Sequence, residues 1–423
     1  MNPIVVLQIA ILVLTVLCAL LYAHQFVYLF LPFFGKKRTF GEPVLHKYAV
    51  LIPARNEENV LPHLLSSLAA QDYPQELLTV YVIADNCTDK TADVARAAGA
   101  RVVERENKVQ VGKGYALNYL FGEIEKTDGL DSFDAFLIFD ADNLLMPDYI
   151  TRINEVHSAG YEVFCGYRNT KNFFSSAVSA GYAVWYLHDS CHLNESRMMI
   201  GSSCNVNGTG FGFSRALLKQ IGSWQFFTLT EDIEFSTWCA THGVKIGYCR
   251  DAILYDEQPL TFSQSYKQRI RWVQGGLQVS LRRGGEILRA LVKGRGWRLY
   301  AAFETFALSL WGYLIGIANA LCGLTLATLL GGIAGFFLAL GGGLLGAALS
   351  FLAIGALTVY TQWDRIRATK KQKIMSIFAF PLFMISFVPI AVIAPFKKFH
   401  WAPIEHRVAV SVDEIEHRTK NDG

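Results

Sequence analysis

The sequence predicts an α/β fold, an open sheet with helices between its strands, placed between chain ends suited to a membrane. Three observations predict it. Between residues 48 and 142, short apolar runs end in polar loops and alternate with segments of helical spacing. Residues 4–34 are almost free of charge, and further long apolar stretches fill 299–396. Charged residues concentrate between them, over 36–298. Of the 423 residues 52% are hydrophobic, and the mean hydropathy of +0.26 is high for a water-soluble enzyme. A net charge of +3 gives no reason to expect a nucleic-acid partner.

Taken in order, residues 1–35 read as a retained membrane anchor. The apolar run is too long for a signal-peptide core, lacks a small-residue cleavage site, and is followed by Lys36, Lys37 and Arg38. That basic triplet places the next domain, 36–275, on the cytoplasmic side. Residues 48–53 form a buried strand leaving into Ala54, Arg55, Asn56, Glu57 and Glu58, and Leu61, Leu64, Leu65 and Leu68 mark a helix over 59–71. A strand at 78–84 runs into Asp85–Asp89, and a helix (90–98) and a strand (101–104) follow. This order describes an open parallel sheet, in which ligands bind beyond the carboxyl ends of the strands.

Residues 136–139 are a fourth buried strand, ending at Asp140 and Asp142. Two carboxylates one residue apart on a chain leaving a sheet can face one hard cation, Mg²⁺ or Mn²⁺, with phosphate oxygens completing its shell. Alone, the pair reads as readily as a solvated strand end. Gly112-Lys113-Gly114 is either an exposed turn or a close backbone approach that lets an ammonium reach a phosphate. Residues 164–169 read as a sheet-end loop, and 172–194 as an aromatic helix of the core rather than a sugar-stacking surface. Asn205-Val-Asn-Gly-Thr-Gly210 is a glycine-rich loop. In Thr228-Leu-Thr-Glu-Asp-Ile-Glu234, Thr230 suits a helix N-cap, and Asp232 is a carboxylate free to take a proton. Residues 266–281 fit an amphipathic helix at a membrane surface.

Residues 276–298 carry Arg282, Arg283, Arg289, Lys293, Arg295 and Arg298, a basic approach to the bilayer. Apolar stretches follow at 299–330, 333–360 and 374–396, the first two reading as a hairpin. Glu304 reads as interfacial. The third stretch holds Pro381, Pro389 and Pro395 and precedes Lys397 and Lys398. It is either a full span or a re-entrant segment, which sends the tail (397–423) to opposite sides. Trp401 suits an interfacial depth, and His406 is given no catalytic role. The eight cysteines show no Cys-x-x-Cys pair and no zinc spacing, as expected of reduced thiols.

The ordered set Ile52-Pro-Ala-Arg-Asn-Glu-Glu58, Ile83-Ala-Asp-Asn-Cys-Thr-Asp89, Gly112–Asn118, Asp140-Ala-Asp142 and Thr230-Glu-Asp232 resembles the inverting family 2 glycosyltransferases over residues 48–275. The resemblance implies a GT-A fold, two abutting Rossmann-like halves on a mixed sheet. It implies that Ala54, Asn56, Glu57 and Asp85 hold the nucleoside of a UDP-sugar, with Asp85 at the base. Lys113, Asp140, Gln268 and Arg271 would meet the diphosphate, and Asp140 and Asp142 the metal. Asp232 would be the catalytic base, supported by Glu231, and Gly208, Thr209, Gly210 and Trp272 would bind the acceptor. Gln268-Arg-Ile-Arg-Trp272 is similar to the Gln-x-x-Arg-Trp signature of processive cellulose, chitin, hyaluronan and poly-N-acetylglucosamine synthases. The implied activity is processive synthesis of a β-linked polysaccharide from UDP-glucose or UDP-N-acetylglucosamine. The alternatives are single transfer to a lipid or glycolipid, and a non-catalytic nucleotide-sugar-binding protein. The implied partners are the UDP-sugar, a growing glycan or lipid-linked acceptor, membrane lipid, and a partner subunit or second copy. No cyclic-dinucleotide-binding domain is evident after the core, a departure from the bacterial cellulose synthases.

Overall fold

The computed structural model describes residues 2–36, 38–397 and 406–417. Eight strands form one sheet: β1 (Tyr48–Ala54), β2 (Leu78–Asp85), β3 (Arg101–Arg105), β4 (Ala135–Ile138), β5 (Leu144–Leu145), β6 (Val163–Thr170), β7 (Phe211–Ser214) and β8 (Ile246–Asp256). Their spatial order is β3-β2-β1-β4-β7-β6-β8-β5. The first four are parallel, as their alternation with helices requires. β7 pairs antiparallel with both β4 and β6, while β6 and β8 are parallel. The sheet is therefore mixed, and the wholly parallel reading holds only for its first half. The reversal has a use: Gly210 N–H donates to the Ile138 carbonyl at 3.0 Å, which sets the glycine-rich loop beside Asp140.

Two corrections concern β6 and β8. Residues 164–169 are strand interior rather than a loop. Their polar half is satisfied inside the protein, Arg168 by Asp256 and Asn169 by the Arg365 carbonyl at 2.9 Å. β8 escapes a sequence reading because Arg250 and Asp251 interrupt it. The pairing skips from Cys249 to Ile253 opposite Gly166 and Tyr167, so these polar residues sit in a bulge.

Residues 172–194 do form a core helix. Ala177–His188 continues as a π-helical segment, Asp189–Asn194, and then as Glu195–Met199. A side chain at Gly181 would collide with Phe383, so glycine lets the helix Lys370–Ile385 lie directly on it.

Pro3–Phe34 is a single apolar helix. The next apolar element begins later than its hydropathy suggests. Trp297–Ala307 is a separate helix, and Glu304 on it is buried rather than interfacial, held by Arg197 at 3.1 Å. Leu310–Thr361 is broken at Gly332 (φ 59°, ψ −151°). A side chain at Gly335 would strike the Ala327 carbonyl, so the chain doubles back as the expected hairpin. Arg282 and Arg283 are not free for lipid in the way the sequence suggested, since both pair with buried Glu234, at 3.3 and 3.1 Å.

The third stretch, Lys370–Phe396, is long and apolar enough to cross a membrane, yet it lies along the helix Phe262–Lys293. Arg269 donates to the Phe383 carbonyl and to Ser386 Oγ at 3.0 and 2.9 Å, and Gln274 donates to the Ala394 carbonyl at 2.8 Å. Beyond it the tail returns to the sheet domain. Ile415 is buried with Leu144 and Tyr255, and Glu416 pairs with Arg367 at 2.9 Å. Arg367 before the stretch and Glu416 after it are thus brought together. Trp401, Lys398 and Lys37 fall outside the described residues. All eight cysteines are free thiols.

Candidate active site

The site lies beyond the carboxyl ends of β1, β2 and β4. Asn56 (φ 58°) turns the first loop so that its side-chain oxygen accepts the Thr88 N–H at 2.8 Å, clamping the first loop to the second. Cys87 Sγ donates to the Ala54 carbonyl at 3.5 Å. Asp85 ends β2 in a buried pair with Arg105 (2.6 Å). Glu57 reaches inward to His406 of the returning tail at 2.9 Å. Burial pushes the Glu57 carboxyl up against the pull of His406, and the charges of Asp142 and Asp140 add to the rise. Burial would lower His406, but Asp142, Glu57 and Glu257 raise it to about 10, so it is a cation at neutral pH. Nothing local to His406 in the sequence points to this position.

Asp140 and Asp142 leave β4 in a loop pinned from two sides. Thr209 Oγ1 accepts the Asp140 N–H at 2.8 Å and bonds Asn143, which donates to Asp256 at 3.0 Å. Asp142 accepts the Glu257 N–H at 2.9 Å. No group of three or more His, Cys, Asp or Glu side chains suited to a metal occurs among the described residues. A pair of carboxylates fits a divalent ion shared with a diphosphate, whose oxygens and water would fill the remaining positions.

Lys113 opens the helix Lys113–Thr127, and its ammonium links the Asp140 loop to Gly208 and Glu231. It lies 2.5 Å from Asp140 Oδ1, 2.5 Å from the Gly208 carbonyl and 3.9 Å from Glu231. The neighbouring glycines serve different ends. Gly112 holds φ 131° in open space, whereas Gly114 admits the Phe226 carbonyl rather than a ligand. Gly210 (φ 63°) leaves no room for a side chain beside Leu254.

Glu231 and Asp232 form the first turn of the helix Glu231–His242. Thr230 occupies the N-cap position but its side chain makes no capping bond. It packs instead against Gly275 of the helix Phe262–Lys293. Glu234 ties down the segment before the helix, accepting the N–H groups of Phe227 and Thr228 at 3.2 Å each. Burial raises both carboxyls of the pair. Glu231 rises to about 7, with the Asp232 charge adding to it, while Lys113, Arg271 and Arg168 counter the rise at Asp232. Lys113 and Arg271 oppose the rise at Glu231 as well, so the two carboxyls share the same cations. Asp232 Oδ2 faces Gly208, 3.6 Å from where a β-carbon would stand.

The helix Phe262–Lys293 brings the remaining residues. Gln268 lines a cavity of about 260 Å³ with Glu257, Gln258, Gln264, His406 and Arg407. Trp272 stands edge-on to Tyr182 and Tyr186, at 5.7 and 6.5 Å between ring centroids. The structure therefore gathers Glu57, Lys113, Asp140, Asp142, Gly208, Thr209, Glu231, Asp232 and Arg271, with Ala54, Asn56 and Asp85 in the loops of β1 and β2.

The model of the family described as glycosyltransferase like family 2 matches residues 46–275, more than half of the chain. The chain belongs to glycosyltransferase family 2. Among curated relatives, the chain is 24% identical to a probable glycosyltransferase, YdaM, of Bacillus subtilis over 282 residues, covering 65% of this chain and 66% of that protein. It is 26% identical to a beta-monoglucosyldiacylglycerol synthase of Synechocystis (54% and 47% covered). It is 25% identical to a poly-beta-1,6-N-acetyl-D-glucosamine synthase of Staphylococcus epidermidis (67% and 68% covered). The glycosyltransferase thus spans about half to two-thirds of the length of these relatives. Its fold resembles that of a mannosyltransferase from Pyrobaculum calidifontis, solved with GDP-Man and Mn²⁺, with a TM-score of 0.57 at 17% identity over 91% of this chain and 99% of that one.

Proposed function

We propose that this glycosyltransferase is membrane-embedded and inverting, and builds a β-linked polysaccharide from UDP-glucose or UDP-N-acetylglucosamine. The observation that carries the reading is the meeting of Lys113, Asp140, Gly208 and the Glu231–Asp232 turn around one point. Asp232 takes the proton of the acceptor hydroxyl while that oxygen attacks the anomeric carbon from the face opposite the diphosphate. The bond from that carbon to the diphosphate oxygen breaks, and the electron pair leaves with UDP. Lys113 and Arg271 face the charge that develops. Mg²⁺ or Mn²⁺, held by Asp140 and Asp142, would supply further neutralisation of the diphosphate. Trp272 offers an apolar face to the acceptor's terminal sugar.

The Gln268–Arg271–Trp272 spacing and the staphylococcal relative support polymer synthesis. A specific observation favours single transfer to a lipid as the second reading. Lys370–Phe396 lies along the sheet domain, so Pro3–Phe34 and the Leu310–Thr361 hairpin leave little material for a polysaccharide channel. A polymer synthase would then draw on a partner subunit or a second copy. The test is UDP release by the purified protein in lipid, with Mn²⁺ or Mg²⁺ and each UDP-sugar, and the product sized in the same tubes. Long product supports the first reading, product of one or two sugars on lipid the second, and the absence of UDP release and UDP binding contradicts both.

A further inference from the structure

Arg168 belongs to no motif, yet its guanidinium joins three parts of the site. Nε donates to Asp256 at 2.9 Å, Nη2 bonds the same carboxylate, and Nη1 donates to the Asn207 carbonyl at 2.6 Å. The guanidinium lies 3.8 Å from the centre of the Tyr186 ring, which also neighbours Tyr182 and Trp272. Through Asp256 it reaches Asn143 of the metal loop and Gln258 beside the cavity, at 3.0 and 2.9 Å. Through Asn207 it holds the peptide preceding Gly208, the residue that faces Asp232 and accepts from Lys113. A second tie completes the hold, because Asn207 Nδ2 donates to Asp189 at the start of the π-helical segment.

These contacts are unequal in their alternatives. Asp256 has Asn143 and Gln258 as further donors, whereas among the described residues Arg168 is the side chain that donates to the Asn207 carbonyl. A planar fork offers separate N–H groups to the two acceptors, whereas a lysine would have to serve both from a single nitrogen on a differently shaped side chain. From this geometry we propose that Arg168 is a positioning residue for the transfer step. It fixes the Asn207–Gly208 peptide opposite Asp232, and thereby the placement of the acceptor hydroxyl. The proposal rests on Asp232 as the base.

The test compares R168K and R168Q with wild type and D232N, all as full-length protein in lipid. UDP release from the active UDP-sugar gives kcat and KM, and UDP binding with Mn²⁺ gives the donor affinity. The expected result for R168Q is a fall in kcat of about 100-fold, as for a small misplacement of reacting groups. Donor KM and UDP affinity stay within about threefold, and R168K recovers part of kcat. Wild-type kcat in R168Q overturns the proposal, as does a joint loss of kcat and UDP affinity, which marks a merely structural role. If R168Q does not fold, R168K decides: a fall of kcat with UDP affinity retained supports the fork, and wild-type kcat overturns it. Turnover in D232N would instead overturn the assignment of the base, while the Arg168 result still reports on the loop.

Discussion

At the scale of single residues, the chemistry turns on which carboxyl of the Glu231–Asp232 pair is ionised. Burial raises both, and the cations Lys113, Arg271 and Arg168 favour the charged form of Asp232. Asp232→Asn is expected to cut turnover by about 10²–10⁴-fold, the usual worth of a general base, with UDP binding retained. A base must be deprotonated to act, so activity is lost as pH falls. Because its carboxyl is raised, the acidic limb should lie above the ordinary Asp value of about 4. A pH–rate profile checks this, and a limb at or below that value contradicts it. Asp140, Asp142 and Asp232 were legible in the sequence because acids at a strand end and in a first helical turn stand out locally. Arg168 and His406 were not, since their partners Asp256 and Glu57 lie 88 and 349 residues away along the chain.

At the scale of elements, a buried ion pair joins the sheet domain to the segment leading into the hairpin. Arg197 and Glu304 are both nearly inaccessible, and His24 of Pro3–Phe34 lies 3.6 Å from the same carboxylate. Removing one partner leaves a buried charge, so E304L alone should lose about 3 kcal/mol of stability. The double change R197M/E304L should recover most of the loss, because it removes both charges together. Thermal unfolding in detergent measures this, and simple addition of the two single effects would count against the pair. The same region shows why hydropathy misplaced the start of the first post-domain span. Trp297–Ala307 is apolar enough to merge with Leu310 onward, and nothing local announces that Arg197 is waiting for Glu304. β1, β2 and β4 were readable because each holds a continuous apolar run, whereas β8 hides its pairing behind a charged bulge.

For the whole molecule, the tail and the last apolar segment decide how the chain sits at a membrane. Ile415 and Glu416 bind the sheet domain, so the tail is expected on the catalytic side of the bilayer. E414C in sealed vesicles should react with an impermeant thiol reagent only from the side that exposes the catalytic domain. Labelling from the other side alone would restore a full span for Lys370–Phe396. The sequence left this open because three prolines and a basic flank fit either course, and the deciding contacts come from residues 269 and 274 on another helix. We propose that together these elements assemble a site for direct displacement at the anomeric carbon. Its most direct test is the anomeric configuration of the product made from an α-linked UDP-sugar, read by NMR. A β-linked product is predicted, and an α-linked product would contradict the account.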